Sequence, residues 1–148
     1  MRILIADDNE FVRRGVAEML SNDVRLEVCG ETASGEETLR KAQELRPDLI
    51  LLDLNMPGMS GYDTARLLRE QLAEIKILIM SFDDALRLLP SVRKAGADGC
   101  VDKARLGSDL LGTIYGFLPS GSDVQNAKVK RASADHAGAT GAKFEQSD

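Results

Sequence analysis

A chain of 148 residues has room for one ordinary domain with a sizeable core and leaves little for a second. Its 43% hydrophobic and 4% aromatic content, without Trp, specifies an aliphatic interior. The net charge of -5 argues against tight non-specific nucleic-acid binding, which needs a concentrated basic face. No run approaches the roughly 18 apolar residues of a membrane span, and the first residues lack the apolar region of a signal peptide. The expectation is a cytoplasmic protein without a membrane partner.

Cys29 and Cys100 are too few for a disulfide-stapled domain and have no metal-ligand spacing. The single His136 lies in a polar stretch near the end, so chemistry within the folded part must rest on carboxylates, a hydroxyl or a lysine.

In chain order, the first apolar run is Ile3-Leu4-Ile5-Ala6, and Asp7 and Asp8 follow it directly. Val12, Val16, Met19 and Leu20 then fall on one face of a helix, which Asp8 or Asn9 can cap. A second run, Leu26 to Cys29, leads to Ser34 and Glu37, which have the form of a capping box. The third run, Leu49-Ile50-Leu51-Leu52, ends in Asp53. Ser60 and Asp63 then open a helix carrying Ala65, Leu68 and Leu72. Ile75 to Met80 ends in Ser81, and Gly99-Cys100-Val101 runs through Asp102 into Lys103. Ser108 is a cap candidate for a last helix carrying Leu110, Leu111, Ile114 and Phe117.

Unbroken apolar runs suit strands covered on both faces, as in parallel sheets flanked by helices. The strand–helix unit repeats five times, which predicts an α/β, doubly wound sheet over residues 1–118. From Pro119 to Asp148 no apolar period is sustained, and four basic residues cancel four acids. This stretch reads as a disordered tail or a linker.

In open parallel sheets, ligands bind beyond the carboxyl ends of the strands. Here Asp7, Asp8, Asp53, Ser81 and Lys103 stand at four of five strand ends. Each has a plainer use alone: an Asp after a strand caps a helix, a Ser forms a turn, and a Lys faces solvent. Their joint placement points to a site. Crowded carboxylates repel by roughly 4 kcal/mol at about 4 Å and an effective dielectric near 20. A cation relieves this, and all-oxygen ligation suits Mg²⁺.

The order Asp7-Asp8, Asp53 within Leu51 to Gly61, Ser81, and Ala95-Gly96-Ala97-Asp98-Gly99 leading to Lys103 resembles the response-regulator receiver domain. The wording around Ile79-Met80-Ser81 and Lys103-Ala104 is most similar to receivers attached to LuxR-type (NarL-type) DNA-binding domains. The resemblance implies a flavodoxin-like (βα)5 fold with strand order 2-1-3-4-5. It implies a signalling phosphoacceptor in a two-component system or phosphorelay, and not an enzyme acting on external substrates. Asp53 would take a phosphoryl group from a histidine kinase or histidine phosphotransfer protein. Asp8, Asp53, Asp7 and the backbone carbonyl of Asn55 would hold Mg²⁺, while Lys103 and Ser81 would contact the phosphoryl oxygens. An unknown downstream protein would read the result, with homodimer formation on phosphorylation as one outcome.

Two other readings stand beside it. A magnesium-dependent phosphohydrolase of the haloacid-dehalogenase type has Asp-x-Asp-x-Thr after its first strand, unlike the adjacent Asp7-Asp8 here. Alternatively, the chain is the receiver fragment of a transcription factor lacking its output domain. No helix-turn-helix pattern follows Leu118, so no direct nucleic-acid contact is expected from this chain.

In the implied strand order, Cys29 and Cys100 lie on opposite edges of the sheet, about 19 Å apart, and are expected to be free thiols. Three further residues depart from the family. Cys100 stands where an aromatic switch residue is usual, and Phe82 follows Ser81 where a small residue is usual. The Phe82 ring is expected either to shield the acyl phosphate from water or to become the moving group. Pro90 costs roughly 3 kcal/mol in a helix interior, so the fourth helix is expected to start late, with Pro90 in its first turn, or to kink there. Phe82 to Leu89 is then expected to be irregular and mobile.

Overall fold

The computed structural model describes residues 1–119. The expectation of a disordered tail or linker, residues 119–148, therefore lies outside the described residues apart from Pro119. Met1–Tyr115 forms one compact unit.

The elements are β1 (Arg2–Ala6), α1 (Glu10–Ser21), β2 (Glu27–Thr32), α2 (Gly35–Leu45), β3 (Leu49–Asp53), α3 (Gly61–Gln71), β4 (Lys76–Ser81), α4 (Ala85–Lys94), β5 (Gly99–Asp102), a 3₁₀ turn (Lys103–Arg105) and α5 (Leu106–Tyr115). The sheet is parallel throughout, in the order β2-β1-β3-β4-β5, the expected flavodoxin-like arrangement. All five residues of β3 are buried, as its central place between helical layers demands, whereas edge strand β2 is only part-buried.

Register decides which residues meet at the carboxyl edge. Ala6 pairs with Leu52, Asp53 with Met80, and Ser81 with Asp102. Asp7, Asp53 and Ser81 consequently leave the sheet within about one residue step of one another, roughly 3.3 Å.

Helices cover the sheet through short apolar stripes. Val16 and Leu20 of α1, Ala65 and Leu68 of α3, and Leu110 and Ile114 of α5 are fully buried at three- or four-residue spacing. The Oγ atoms of Ser34 and Ser60 accept from the N–H groups of Glu37 and Asp63, as the sequence implies. Glu37 reaches back to the N–H of Ala33, so the capping box closes one residue early.

Two glycines are required by geometry. A Cβ at Gly61 would lie 2.6 Å from both the Asp53 carbonyl oxygen and the Leu54 Cα, so glycine lets α3 start directly against the end of β3. Gly96 has φ +102°, a conformation that side-chain-bearing residues rarely adopt. Its carbonyl accepts from Arg69 Nε at 2.9 Å, and the same guanidinium meets Asp98 Oδ2 at 2.8 Å. Asp98 Oδ2 also accepts from the N–H of Ile77, which ties α3 to the β4–β5 edge.

The structure corrects several boundaries. The fourth helix does not start late: α4 begins at Ala85 under an Asp84 cap and contains Pro90 in its interior. Buried Val92 and Ala95, with part-buried Leu88 and Leu89, anchor this helix on the core. Only Phe82 to Asp84 of the expected irregular segment remains outside regular structure. Ser108 is not a cap but lies inside α5, where its hydroxyl donates to the Arg105 carbonyl. Asp102 caps the preceding turn, its Oδ1 accepting from the N–H of Ala104. Strand β2 extends to Thr32, beyond its apolar run, because pairing with β1 continues to Ala6. Cys29 and Cys100 are free and part-buried.

Candidate functional site

The site begins with a local device repeated at four strand ends. Asp7 Oδ1 accepts from the N–H of Asn9, Asp53 Oδ1 from Asn55, Ser81 Oγ from Asp83, and Asp102 Oδ1 from Ala104. Each side chain thereby bonds the N–H two residues on and turns the chain out of the sheet. The second oxygen of each carboxylate and the hydroxyl hydrogen of Ser81 remain for other work.

These turns bring the charged residues together. Lys103 Nζ lies 2.6 Å from Asp7 Oδ2 and 3.0 Å from Asp53 Oδ1. The side chains of Lys103, Asp7 and Asp53 are all at least nine-tenths buried. Among the described residues, no donor apart from that ammonium reaches Asp7 Oδ2, and the bonds of Lys103 and the Asn55 N–H to Asp53 both fall on Oδ1. Asp8 is exposed, yet one oxygen from each of Asp7, Asp8 and Asp53 falls within a 4.8 Å group. Asn55 is brought to the site by its N–H bond to Asp53, and Ser81 is buried at the end of β4.

Two carboxylates thus share one ammonium, and a third, Asp8, stands beside them. Burial pushes the Asp53 carboxyl up from 3.8 to about 6, opposed by Lys103 and the Asn55 N–H and reinforced by the charge of Asp7. Burial acts to lower the Lys103 pKa, but its bonds to Asp7 and Asp53 outweigh this and hold it above the ordinary lysine value. The ammonium stays charged while shared, and negative charge remains in excess. An all-oxygen, acidic, partly open cluster is a donor set suited to Mg²⁺.

Two further residues border the site, and only the second was singled out in the sequence. Arg13 donates to the Asp7 carbonyl oxygen at 2.7 Å and pairs with Glu31, fixing the end of β1 against β2. The Phe82 ring lies with its centroid 5.4 Å from Lys103 Nζ. Phe82 stood out in the sequence as a departure; nothing in the spacing pointed to Arg13.

Comparison with known proteins agrees with this geometry. Residues 3–115 match the response regulator receiver domain. The nitrate/nitrite response regulator protein NarL of Escherichia coli K12 is 39% identical over 113 residues, 76% of this chain and 52% of that protein. The nitrate/nitrite response regulator homolog of Haemophilus influenzae is 33% identical over 140 residues, 92% of this chain and 67% of that protein. The chain spans about half the length of the E. coli relative. Among solved structures, the signal receiver domain of the putative response regulator NarL from Mycobacterium tuberculosis aligns with a TM-score of 0.65 and 31% identity, covering 69% of this chain and 82% of that one. A LuxR-family two-component response regulator from Aurantimonas aligns with a TM-score of 0.68 and 26% identity, covering 84% and 92% respectively. The chain belongs to the response regulator receiver domain family.

Proposed function

We propose that the chain is a phosphoacceptor switch in which Asp53 takes a phosphoryl group from the phosphohistidine of a kinase or phosphotransfer protein. The observation that carries this reading is the buried Lys103 ammonium shared between Asp7 and Asp53, beside exposed Asp8. Two carboxylates sharing one cation, with a third carboxylate beside them, suit a site that receives both a metal ion and a phosphoryl group.

Asp53 Oδ1 is engaged by Lys103 and the Asn55 N–H, so Oδ2 is the nucleophilic oxygen. It forms a bond to phosphorus as the phosphorus–nitrogen bond to the donor imidazole breaks, and the imidazole recovers a proton from solvent. Lys103 offers its ammonium to a phosphoryl oxygen. Ser81 Oγ, which already accepts from the Asp83 N–H, is left to donate its hydrogen to another. Asp8, Asp53, Asp7 and the Asn55 carbonyl would hold Mg²⁺. When bound, that ion supplies charge neutralisation at the phosphoryl oxygens.

In this reading the chain acts by changing its partner-binding surface and turns over no external substrate. Its partners are a cytoplasmic phosphodonor and a downstream protein. It makes no direct nucleic-acid contact, and phosphorylation favours homodimer formation. The LuxR-type likeness favours a second reading of output, in which the chain is the receiver part of a DNA-binding regulator.

Incubation with acetyl phosphate and Mg²⁺ tests the phosphoacceptor claim. Acid-stable, base-labile label is expected on the natural chain and absent from D53N or in EDTA. Label retained by D53N, or unaffected by EDTA, contradicts the assignment.

A further inference from the structure

Phe82 has no part in the chemistry above. It follows Ser81 directly, and 71% of its surface is exposed, so burial of the ring does little to hold it in place. Its centroid nevertheless lies 5.4 Å from Lys103 Nζ, within the roughly 6 Å over which an ammonium is attracted to an aromatic face. Asp7 and Asp53 engage the same nitrogen, and the Lys103 side chain is 6% exposed. Ring and phosphoacceptor carboxylate therefore flank one nearly buried cation. The ring carries no polar atom that could orient or activate water.

We propose that the Phe82 ring, docked on the Lys103 ammonium, shields phosphorylated Asp53 from water and lengthens the life of the signal. The inference rests on Asp53 being the phosphoacceptor. In the reaction it opposes, a water oxygen bonds to phosphorus and the bond from phosphorus to Asp53 Oδ2 breaks. Its electron pair returns to the carboxylate, and the protons of water leave on orthophosphate and to solvent. The ring slows this by occupying the approach beside the cation on which the phosphoryl oxygens rest. A protein partner can displace so exposed a side chain at little cost, whereas a single water cannot.

The test uses the whole chain, loaded with acetyl phosphate and Mg²⁺, freed of donor by desalting, and followed by phosphate-affinity electrophoresis. F82A is expected to lose its phosphoryl group about fivefold faster, the scale of one exposed cation–π contact. F82Y is expected to keep the natural lifetime, and Mg²⁺ affinity of the unphosphorylated chain is expected to be the same in all three. An F82A lifetime equal to or longer than the natural one overturns the shield. Equal acceleration in F82Y, or a parallel loss of Mg²⁺ affinity in F82A, overturns it too, because the effect would then come from a disturbed site. Absence of label on the natural chain overturns the phosphoacceptor reading itself, a result distinguishable from a labelled chain whose lifetime ignores residue 82.

Discussion

Replacing Asp53 with Asn should stabilise the metal-free protein, although it removes a carboxylate that touches Lys103. Burial outweighs that contact and raises the Asp53 pKa from 3.8 to about 6. A group whose pKa rises on folding binds its proton more tightly in the folded state, so its contribution to stability is present at low pH and is lost as pH rises through the folded value. Two pKa units correspond to about 3 kcal/mol, and Asp53 is 3% exposed, so little solvent screening reduces the effect. The D53N variant should exceed the natural chain in unfolding free energy by about 1–3 kcal/mol at pH 8, or about 4–12 °C in melting temperature. The difference should open between roughly pH 4 and 6 and shrink toward zero below. Urea titrations of both proteins in EDTA across pH 4–8 measure this directly. A D53N variant less stable than the natural chain at pH 8, or a difference that grows toward acid, refutes the claim that the buried carboxylate is a net burden without metal.

Other consequences concern the metal, the backbone and α4. D8N should weaken Mg²⁺ binding by about tenfold or more in calorimetry while barely moving the melting temperature of the metal-free protein, because Asp8 is exposed and belongs to the acidic cluster. Unchanged affinity would remove Asp8 from the ligand set. G96A should destabilise by about 1–3 kcal/mol in urea, since φ +102° strains any side chain and the new Cβ would meet Arg69 Cβ at 3.0 Å. P90A should stabilise by about 1–3 kcal/mol, because the proline sits inside α4 and has no N–H to offer the carbonyl of Leu86. A neutral or destabilising P90A would show that the ring packs favourably enough to offset the lost bond.

The sheet was legible because buried parallel strands read as unbroken apolar runs, and the site because charged residues follow those runs directly. Asp7, Asp53, Ser81 and Lys103 could be placed at one edge before any register was known. Extents and contacts were less accessible. Strand β2 continues through Glu31 and Thr32 because of its pairing with β1, and that pairing is invisible in local hydropathy. Propensity alone disfavours Pro90, but the Asp84 cap and the burial of Val92 and Ala95 outweigh it in the folded chain. Ser108 resembled a cap only because the role of Asp102 was not apparent. The turns after Asp7, Asp53, Ser81 and Asp102 escape sequence reading because each partner is a backbone N–H, which any non-proline residue supplies. Arg13 on the Asp7 carbonyl and Arg69 on Asp98 are contacts between elements, set by packing and not by spacing.

The central claim is that Asp53 Oδ2 carries the phosphoryl group, and chemical mapping tests it most directly. The natural chain is treated with acetyl phosphate and Mg²⁺, the acyl phosphate is reduced with borohydride, and the digested peptides are read by mass spectrometry. Conversion of residue 53 to homoserine, with Asp7 and Asp8 untouched, is the predicted result; homoserine at position 7 or 8 with Asp53 intact would contradict the account.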